Sequence, residues 1–302
     1  MTKGYLVREF GGPEVMVWEA LNLGAVAAGA VRVRVGASGI NFAETRMRAG
    51  DYSGQELPFV MGMEVAGTIE EVGEGVTGLS RGDRVFGRAR GAHADMVDCD
   101  PDHLMLLPDN LSFVQGAAIP VGWLTAWHAL YTVGGMKAGD RILVEAVGGS
   151  VGSAALALAK QAGCWALGTA SRDEKLAHAV SMGCDAVVNY TRESVSEQVA
   201  RLTEGQGMDI GLMTIGDATA DDLIDSMGMD GRVVMFGSTG GRDITFNLRI
   251  GIFNIQLLSM SISTSAAFMT QTMPDFRARA VPLFASGQLE PVVDTVLPMS
   301  EL

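Results

Sequence analysis

Arg141-Ile-Leu-Val-Glu-Ala-Val-Gly-Gly-Ser-Val-Gly-Ser-Ala-Ala-Leu-Ala-Leu-Ala-Lys160 decides the fold. The apolar run at 142–144 has the length of a buried strand. Small residues follow, then a segment whose stripe of Val151, Ala155, Leu158 and Ala162 has helical spacing. The spacing Ala146-x-x-Gly149-x-x-Gly152 is a variant of the dinucleotide-binding glycine fingerprint. A small residue at 146 permits the tight turn, Gly149 lets a pyrophosphate approach the backbone, and Gly152 lets the helix pack close to the strand. Ser150 and Val151 lie between the glycines, where a helix N-terminus offers unpaired N–H groups and a favourable dipole to an anion. The same spacing also suits a turn kept only for close packing.

Downstream, further apolar strands are predicted at 166–169, 186–188, 210–213, 233–236 and 257–262. Helices are predicted near 151–162, 173–182, 193–204 and 218–228. Strands alternating with helices imply a doubly wound parallel sheet with helices on both faces and right-handed crossovers. The second strand ends in Ala170-Ser171-Arg172, and Ser171 stands 171 − 152 = 19 residues past Gly152. A site selective for NAD places an acid there, to take the ribose hydroxyls. Ser171, Arg172 and Lys175 instead suit a 2′-phosphate and favour NADP(H). The alternative is a solvated helix start in which Arg172 and Lys175 pair with Asp173 and Glu174.

Upstream, residues 1 to about 110 read as β-rich. Val31-Arg-Val-Arg-Val35 alternates with period two, and Val65-Ala-Gly-Thr-Ile-Glu-Glu-Val72 is similar. Gly73, Gly75, Gly78 and Gly82-Asp83 supply turns, so a compact barrel-like domain is expected. After about residue 265 the pattern breaks, and Pro274, Pro282, Pro291 and Pro298 punctuate a tail expected to return to the first domain.

The 302 residues, 48% hydrophobic and 19% charged, form a large core and not a disordered chain. The net charge of 22 − 35 = −13 makes nucleic acid an unsuitable partner but leaves room for a small phosphorylated ligand. Three dispersed cysteines, Cys99, Cys164 and Cys184, point to a reducing compartment. Lys3, Arg8 and Glu9 leave no apolar stretch for a secretory signal, and Glu145 and Lys160 interrupt the most apolar segment, so no membrane span is expected.

The chain resembles the medium-chain dehydrogenase/reductase superfamily, in its zinc-independent quinone oxidoreductase and enoyl reductase branch. The resemblance rests on Gly39-Ile-Asn-Phe42, Arg48-Ala-Gly-Asp-Tyr52, Pro58-Phe-Val-Met-Gly-Met-Glu-Val-Ala-Gly67, Gly82-Asp-Arg-Val85, Leu124-Thr-Ala126, the fingerprint, Ala170-Ser171 with Lys175, and Gly183-Cys-Asp-Ala-Val-Val-Asn-Tyr190, in family order. It implies a GroES-like β-rich catalytic domain (1–120), a Rossmann cofactor domain (121–264), a return to the catalytic domain (265–302) and a cleft between the two. It also implies homodimers or tetramers; the sparse cysteines set the expected location in the cytoplasm. The chain stops at Pro298-Met-Ser-Glu-Leu302, short of the Gly-Lys strand that closes relatives, so further C-terminal residues are expected.

Zinc-dependent relatives carry cysteine where Asn41 stands and histidine where Met63 stands, and neither replacement is a competent zinc ligand there. No metal is expected. The resemblance places Asn41 by the cofactor carboxamide and substrate, Thr125 by the nicotinamide, and Tyr190 in the cofactor site. Tyr52, in a Gly-x-Tyr position, becomes a hydrogen-bond or proton donor to an enolate. Ordinary roles compete in each case: a turn-capping asparagine, a packed threonine, a loop tyrosine.

Three departures stand out. Glu145 ends the first strand beside the anion-binding turn. Thr214 stands where relatives often have Asp. Ser238-Thr239-Gly240 occupies a loop that carries Lys and Asp in assembly-line enoyl reductases, which leaves the proton source open. His93, His103, His128 and His178 read as structural or surface residues. The reading is an NADPH-dependent, zinc-independent reductase of a small apolar quinone or α,β-unsaturated carbonyl. The competing one is a non-redox cofactor-binding or sensing protein, or an enzyme using the cleft for another reaction.

Overall fold

The computed structural model describes every residue except Ser53 and Arg242. The chain divides into two units, Met1–Val121 with Arg279–Leu302, and Gly122–Ala278.

The first unit is built on two antiparallel sheets. Strands β1 (Lys3–Val7), β2 (Met16–Ala20) and β4 (Phe59–Val60) form one, in the order β2-β1-β4. Strands β3 (Val31–Ala37), β5 (Glu64–Val72), β6 (Arg84–Arg88), β7 (Met96–Cys99) and β8 (Leu104–Leu106) form the other, in the order β7-β3-β5-β6-β8. The period-two pattern places Val31, Val33, Val65, Ile69 and Val85 in one core. Arg32, on the opposite face of β3, is also buried, because its guanidinium makes a two-pronged ion pair with Asp98 at 2.7 and 2.9 Å. Two short helices join this unit, α1 (Phe42–Arg48) and α2 (Phe113–Ala117).

Helix α3 (Pro120–Trp127) leads into the second unit. There β9 (Arg141–Val144), α4 (Ser150–Gln161), β10 (Trp165–Ala170), α5 (Asp173–Ser181), β11 (Ala186–Asn189), α6 (Val195–Leu202), β12 (Met208–Met213), α7 (Asp217–Asp225), β13 (Met227–Met235), α8 (Arg249–Ile252) and β14 (Gln256–Ser259) follow in turn. The six strands are parallel, in the order β11-β10-β9-β12-β13-β14. That is the doubly wound Rossmann order, with its reversal between β9 and β12. The expected fold class holds: a Rossmann sheet plus a GroES-like β-rich unit.

Three differences have local causes. Helix α7 stops at Asp225 and not near 228, because Ser226 Oγ turns back to Asp222 O at 2.7 Å and β13 begins at once. A Cβ at Gly228 would overlap Gln206 O, so the neighbouring backbone comes too close there for any side chain. Strand β14 ends at Ser259 and not 262, although Met260 N–H still reaches Met235 O. The proline-punctuated tail holds α9 (Met273–Ala285). The π-helical turn at Phe268–Thr272 runs straight into it, so Pro274 stands inside a continuous helix, and the buried stripe of Phe276, Ala280 and Phe284 outweighs the missing amides of Pro274 and Pro282. Among the described residues no helix is long and apolar enough to cross a membrane.

Candidate active site

The glycine fingerprint takes the geometry its spacing requires. Ala146 adopts a left-handed backbone with φ of 50°, and Gly149 N–H closes the turn onto Ala146 O at 2.8 Å. A Cβ at Gly152 would overlap Ala146 O and lie 2.8 Å from Val147 Cα. This glycine is demanded by packing. A Cβ at Gly149 would meet only Ala146 O, at 3.2 Å, so the backbone there faces open space. Gly149 is the N-cap of α4, so the amides of Ser150, Val151 and Gly152 have no acceptor within the helix and are free to bind an anion.

Strand β10 delivers Ser171, Arg172 and Lys175 to the same carboxyl edge, all three exposed. Asp173 does not pair with Arg172. Asn189 Nδ2 and Arg192 Nη1 take its two oxygens at 2.7 and 2.8 Å, and these bonds hold the carboxyl below its usual range. Lys175 crosses the turn itself, for a Cβ at Gly148 would fall 2.6 Å from Lys175 Cβ. Among the described residues Arg172 and Lys175 have no acidic partner, so two cations remain available beside the anion-binding amides. Thr125 is buried in α3. Tyr190 is partly buried and lines a cavity of about 50 Å³ with Leu143, Glu145, Thr169 and Thr219.

Glu145 is turned away from the anion-binding turn. Its Oε2 accepts Thr214 N–H at 2.7 Å and Ile215 N–H at 3.0 Å, and its Oε1 accepts the Thr219 hydroxyl at 2.5 Å. Burial pushes this carboxyl up, and the three donors oppose the shift. The next layer is joined as well: Thr239 N–H and Gly240 N–H reach Thr214 O and Ile215 O at 3.3 and 2.7 Å. Glu145 thus ties the ends of β9 and β12 to the loop after β13.

In the first unit, Asn41 caps α1. Its N–H donates to Glu44 Oε2 at 2.9 Å, and its Nδ2 donates to Glu64 Oε1 at 2.7 Å. Glu64 is buried on β5, and its other oxygen takes Val121 N–H at 2.7 Å. A Cβ at Gly39 would overlap Glu64 Oε1, so Gly39 makes room for this carboxyl. Burial raises the Glu64 pKa to about 7 against the pull of these two donors. Burial lowers the pKa of Arg88 on β6, and Glu64 opposes that shift. Tyr52 itself is half-buried, in the turn after α1. Met63 precedes Glu64, and among the described residues no three His, Cys, Asp or Glu side chains group to hold a metal ion.

Residues 27–122 match the alcohol dehydrogenase GroES-like domain family, and residues 150–286 match the zinc-binding dehydrogenase family. A quinone oxidoreductase of Sus scrofa is 30% identical over 302 residues, covering 98% of this chain and 90% of that protein. The chain belongs to the quinone oxidoreductase branch of the medium-chain dehydrogenase/reductase superfamily.

A 2-haloacrylate reductase of a Burkholderia species is 32% identical over 248 residues, covering 80% of this chain and 74% of that protein. Among solved structures of this branch, the Pseudomonas syringae quinone oxidoreductase superposes with a TM-score of 0.88 at 32% identity, covering 96% of this chain and 90% of that one. The Escherichia coli quinone oxidoreductase, solved with NADPH, gives 0.84 at 29% identity, covering 97% and 90%.

The family resemblance drawn from the motifs therefore holds. Each unit gathers its own residues: Asn41 and Tyr52 in the first, and Thr125, the glycine turn, Ser171, Arg172, Lys175 and Tyr190 in the second. The sequence reading missed Gly148, which seats Lys175, and Glu44 and Glu64, which grip Asn41; it singled out Glu145 but not its partners. The adjacent glycines at 148 and 149 were the available signal for the first. The three acids have partners that lie 23 to 74 positions away or are backbone amides, and no spacing rule announces them.

Proposed function

We propose that this chain is an NADPH-dependent, zinc-independent reductase of a small apolar quinone or α,β-unsaturated carbonyl. One observation carries the cofactor assignment: Ser171, Arg172 and Lys175 stand free of acids at the end of β10, with Lys175 crossing the glycine turn. The fit is chemical as well as geometric. The α4 amides suit a pyrophosphate, the two cations suit a 2′-phosphate, and Glu145 spends its charge on Thr214, Ile215 and Thr219 instead of opposing either.

NADPH supplies a hydride to the electrophilic carbon of the conjugated substrate. The relatives named quinone oxidoreductase and 2-haloacrylate reductase point to the same chemistry, a C=C bond conjugated to a carbonyl. In this reading Asn41 and Thr125 orient the nicotinamide end, and Tyr190 borders the adenosine end. Tyr52 donates a hydrogen bond or a proton to the enolate that hydride addition creates, a charge best met by a pre-positioned donor. Asn41 and Met63 offer no thiolate and no imidazole, so zinc has no ligand pair there. Turnover is expected to survive chelation, with no tightly bound zinc in the purified protein; chelator-sensitive turnover would overturn zinc independence.

NADPH is expected to bind more tightly than NADH in fluorescence titrations at low ionic strength. Lys175→Glu is expected to weaken NADPH by about 1–3 kcal/mol, the loss of a charge-assisted contact, and NADH by less. Equal affinities in the unsubstituted protein would contradict the assignment.

The reading extends to a cytoplasmic homodimer. Three isolated, buried thiols suit a reducing compartment. Strand β14 is an edge of the six-stranded sheet. Met260 N–H points inward to Met235 O, so by alternation Ser259 N–H faces the open edge, which soluble proteins cover or pair. Light scattering is expected to show a dimer that Ser259→Pro dissociates, since proline removes that donor. A monomeric parent protein would refute the dimer, and a dimer indifferent to proline would place the interface elsewhere.

A further inference from the structure

His93 and Glu44 are buried to 1% and 2% exposure, and neither side chain has a place in the mechanism above. Their hydrogen bonds can be counted proton by proton. Ser38 Oγ lies 2.8 Å from Glu64 O and 2.9 Å from His93 Nδ1. A carbonyl only accepts, so the single hydroxyl hydrogen of Ser38 goes to Glu64 O. The second contact then needs its hydrogen from the ring, and His93 carries a proton on Nδ1. A neutral imidazole of that form has a bare Nε2. Yet Nε2 lies 3.2 Å from Glu44 Oε2, and two bare lone pairs at that distance in a dry interior repel. One further proton must sit between them, on the ring or on the carboxyl. Either way the pair is neutral overall, which is the form that burial favours.

We propose that Glu44 and His93 share one proton, and that this buried pair is the positioning element that holds Asn41 in place. The inference rests on the reading of Asn41 as a cofactor and substrate contact. Glu44 Oε2 accepts the Asn41 N–H as well as facing His93, and Glu64 Oε1 takes the Asn41 side-chain amide. The asparagine is therefore gripped at both ends by buried carboxylates, and His93 supplies the proton that lets the first of them lie beside the second. The other Glu44 oxygen is buried and, among the described residues, meets no donor that would offset the charge.

The charged groups facing the pair are few. Glu64 lies opposite on β5, with Arg88 of β6 beyond it. On α1 itself Arg46 pairs with Asp51, and Arg48 reaches Gly11 O. Asp95, two positions past His93, receives Lys3 N–H. Without the shared proton the pair would stand net negative beside Glu64, with no Lys or Arg in contact among the described residues, and the grip on Asn41 would loosen.

Two measurements on the full-length protein test this. Nuclear magnetic resonance of isotope-labelled histidine, with His93 identified among the four histidines by its loss in His93→Gln, is expected to show Nδ1 protonated and a proton shared at Nε2. The opposite form, with Nδ1 bare and Nε2 protonated, would overturn the proton count. The second measurement is the steady-state kinetics of NADPH-dependent reduction of a simple benzoquinone. Glu44 Oε2 meets both Asn41 N–H and His93 Nε2, and the amide of Glu44→Gln can serve only one of them at that point. Glu44→Gln and Glu44→Ala are both expected to lower kcat by about tenfold to 100-fold, more than they change KM. An unchanged kcat in either variant, or a KM that changes as much as kcat, would sink the positioning role. Asn41→Ala without effect on NADPH affinity or turnover would defeat the role of Asn41 instead, while the His93 signature stayed unchanged.

Discussion

Gly152→Val is expected to lose NADPH binding and about 3 kcal/mol of stability together. Gly149→Ala is expected to lose binding at a far smaller cost in stability. The contrast follows from what each new side chain would meet. At 152 a Cβ would enter the carbonyl of Ala146 and the Cα of Val147, and backbone cannot swing aside as a side-chain tip can. Overpacking of this kind costs about 1–3 kcal/mol, and a β-branched residue stands at the upper end. The α4 N-terminus would move off the turn and take its free amides with it. At 149 the only neighbour is Ala146 O at 3.2 Å, an ordinary backbone conformation suffices, and the methyl group fills only the space a pyrophosphate would use. Thermal melts and NADPH titrations of both variants separate a binding turn from a packing turn. Gly149→Ala with undiminished NADPH affinity would return the fingerprint to packing alone.

The pH dependence of stability is expected to change by about 3 kcal/mol when Glu64 is replaced by glutamine. Burial holds the native Glu64 pKa at about 7 against 4.5 in the unfolded chain. Between those values the folded protein keeps a proton that the unfolded chain releases, so stability falls as pH rises. The stabilising contribution is complete below pH 4.5 and gone above pH 7. A separation of 7 − 4.5 = 2.5 pH units corresponds to about 3 kcal/mol at 1.36 kcal/mol per unit. The amide introduced by Glu64→Gln cannot titrate, and its single acceptor oxygen leaves one of the Asn41 and Val121 donors short at every pH. That offset is constant and drops out of the slope. Urea unfolding of both proteins at steps between pH 4.5 and about 8 checks this. Parallel profiles would mean that Glu64 is charged throughout.

These two predictions differ in how far the sequence could reach. The glycine turn was legible because its requirements are local. A strand, a left-handed residue, an open glycine and a helix start follow one another within a dozen positions, and each demands a small residue for its own steric reason. The apolar alternation of β3 and β5 and the alternating elements after residue 120 were legible for the same reason, since burial on one face imposes a period. Ends were less legible. Helix α7 stops where a side-chain return bond and the close backbone at Gln206 intervene. The proline-rich tail hid α9, because the buried Phe276, Ala280 and Phe284 outweigh what proline costs.

The sequence by itself determined the order of elements, the parallel sheet, the glycine turn, the absence of a thiolate and an imidazole at 41 and 63, and the lack of an acid at the end of β10. All are set by which residue stands at which step of a local pattern. Only the tertiary structure decided what the acids do. Glu145, beside the turn in sequence, faces Thr214, Ile215 and Thr219, and Asp173 is taken by Asn189 and Arg192, which leaves Arg172 and Lys175 without an acidic partner among the described residues. Glu44, Glu64, His93 and Ser38 become one network around Asn41 although they are up to 55 positions apart. The physical reason is that a buried charge must find donors wherever the fold brings them, and a proton or an amide from a distant strand serves as well as a neighbour.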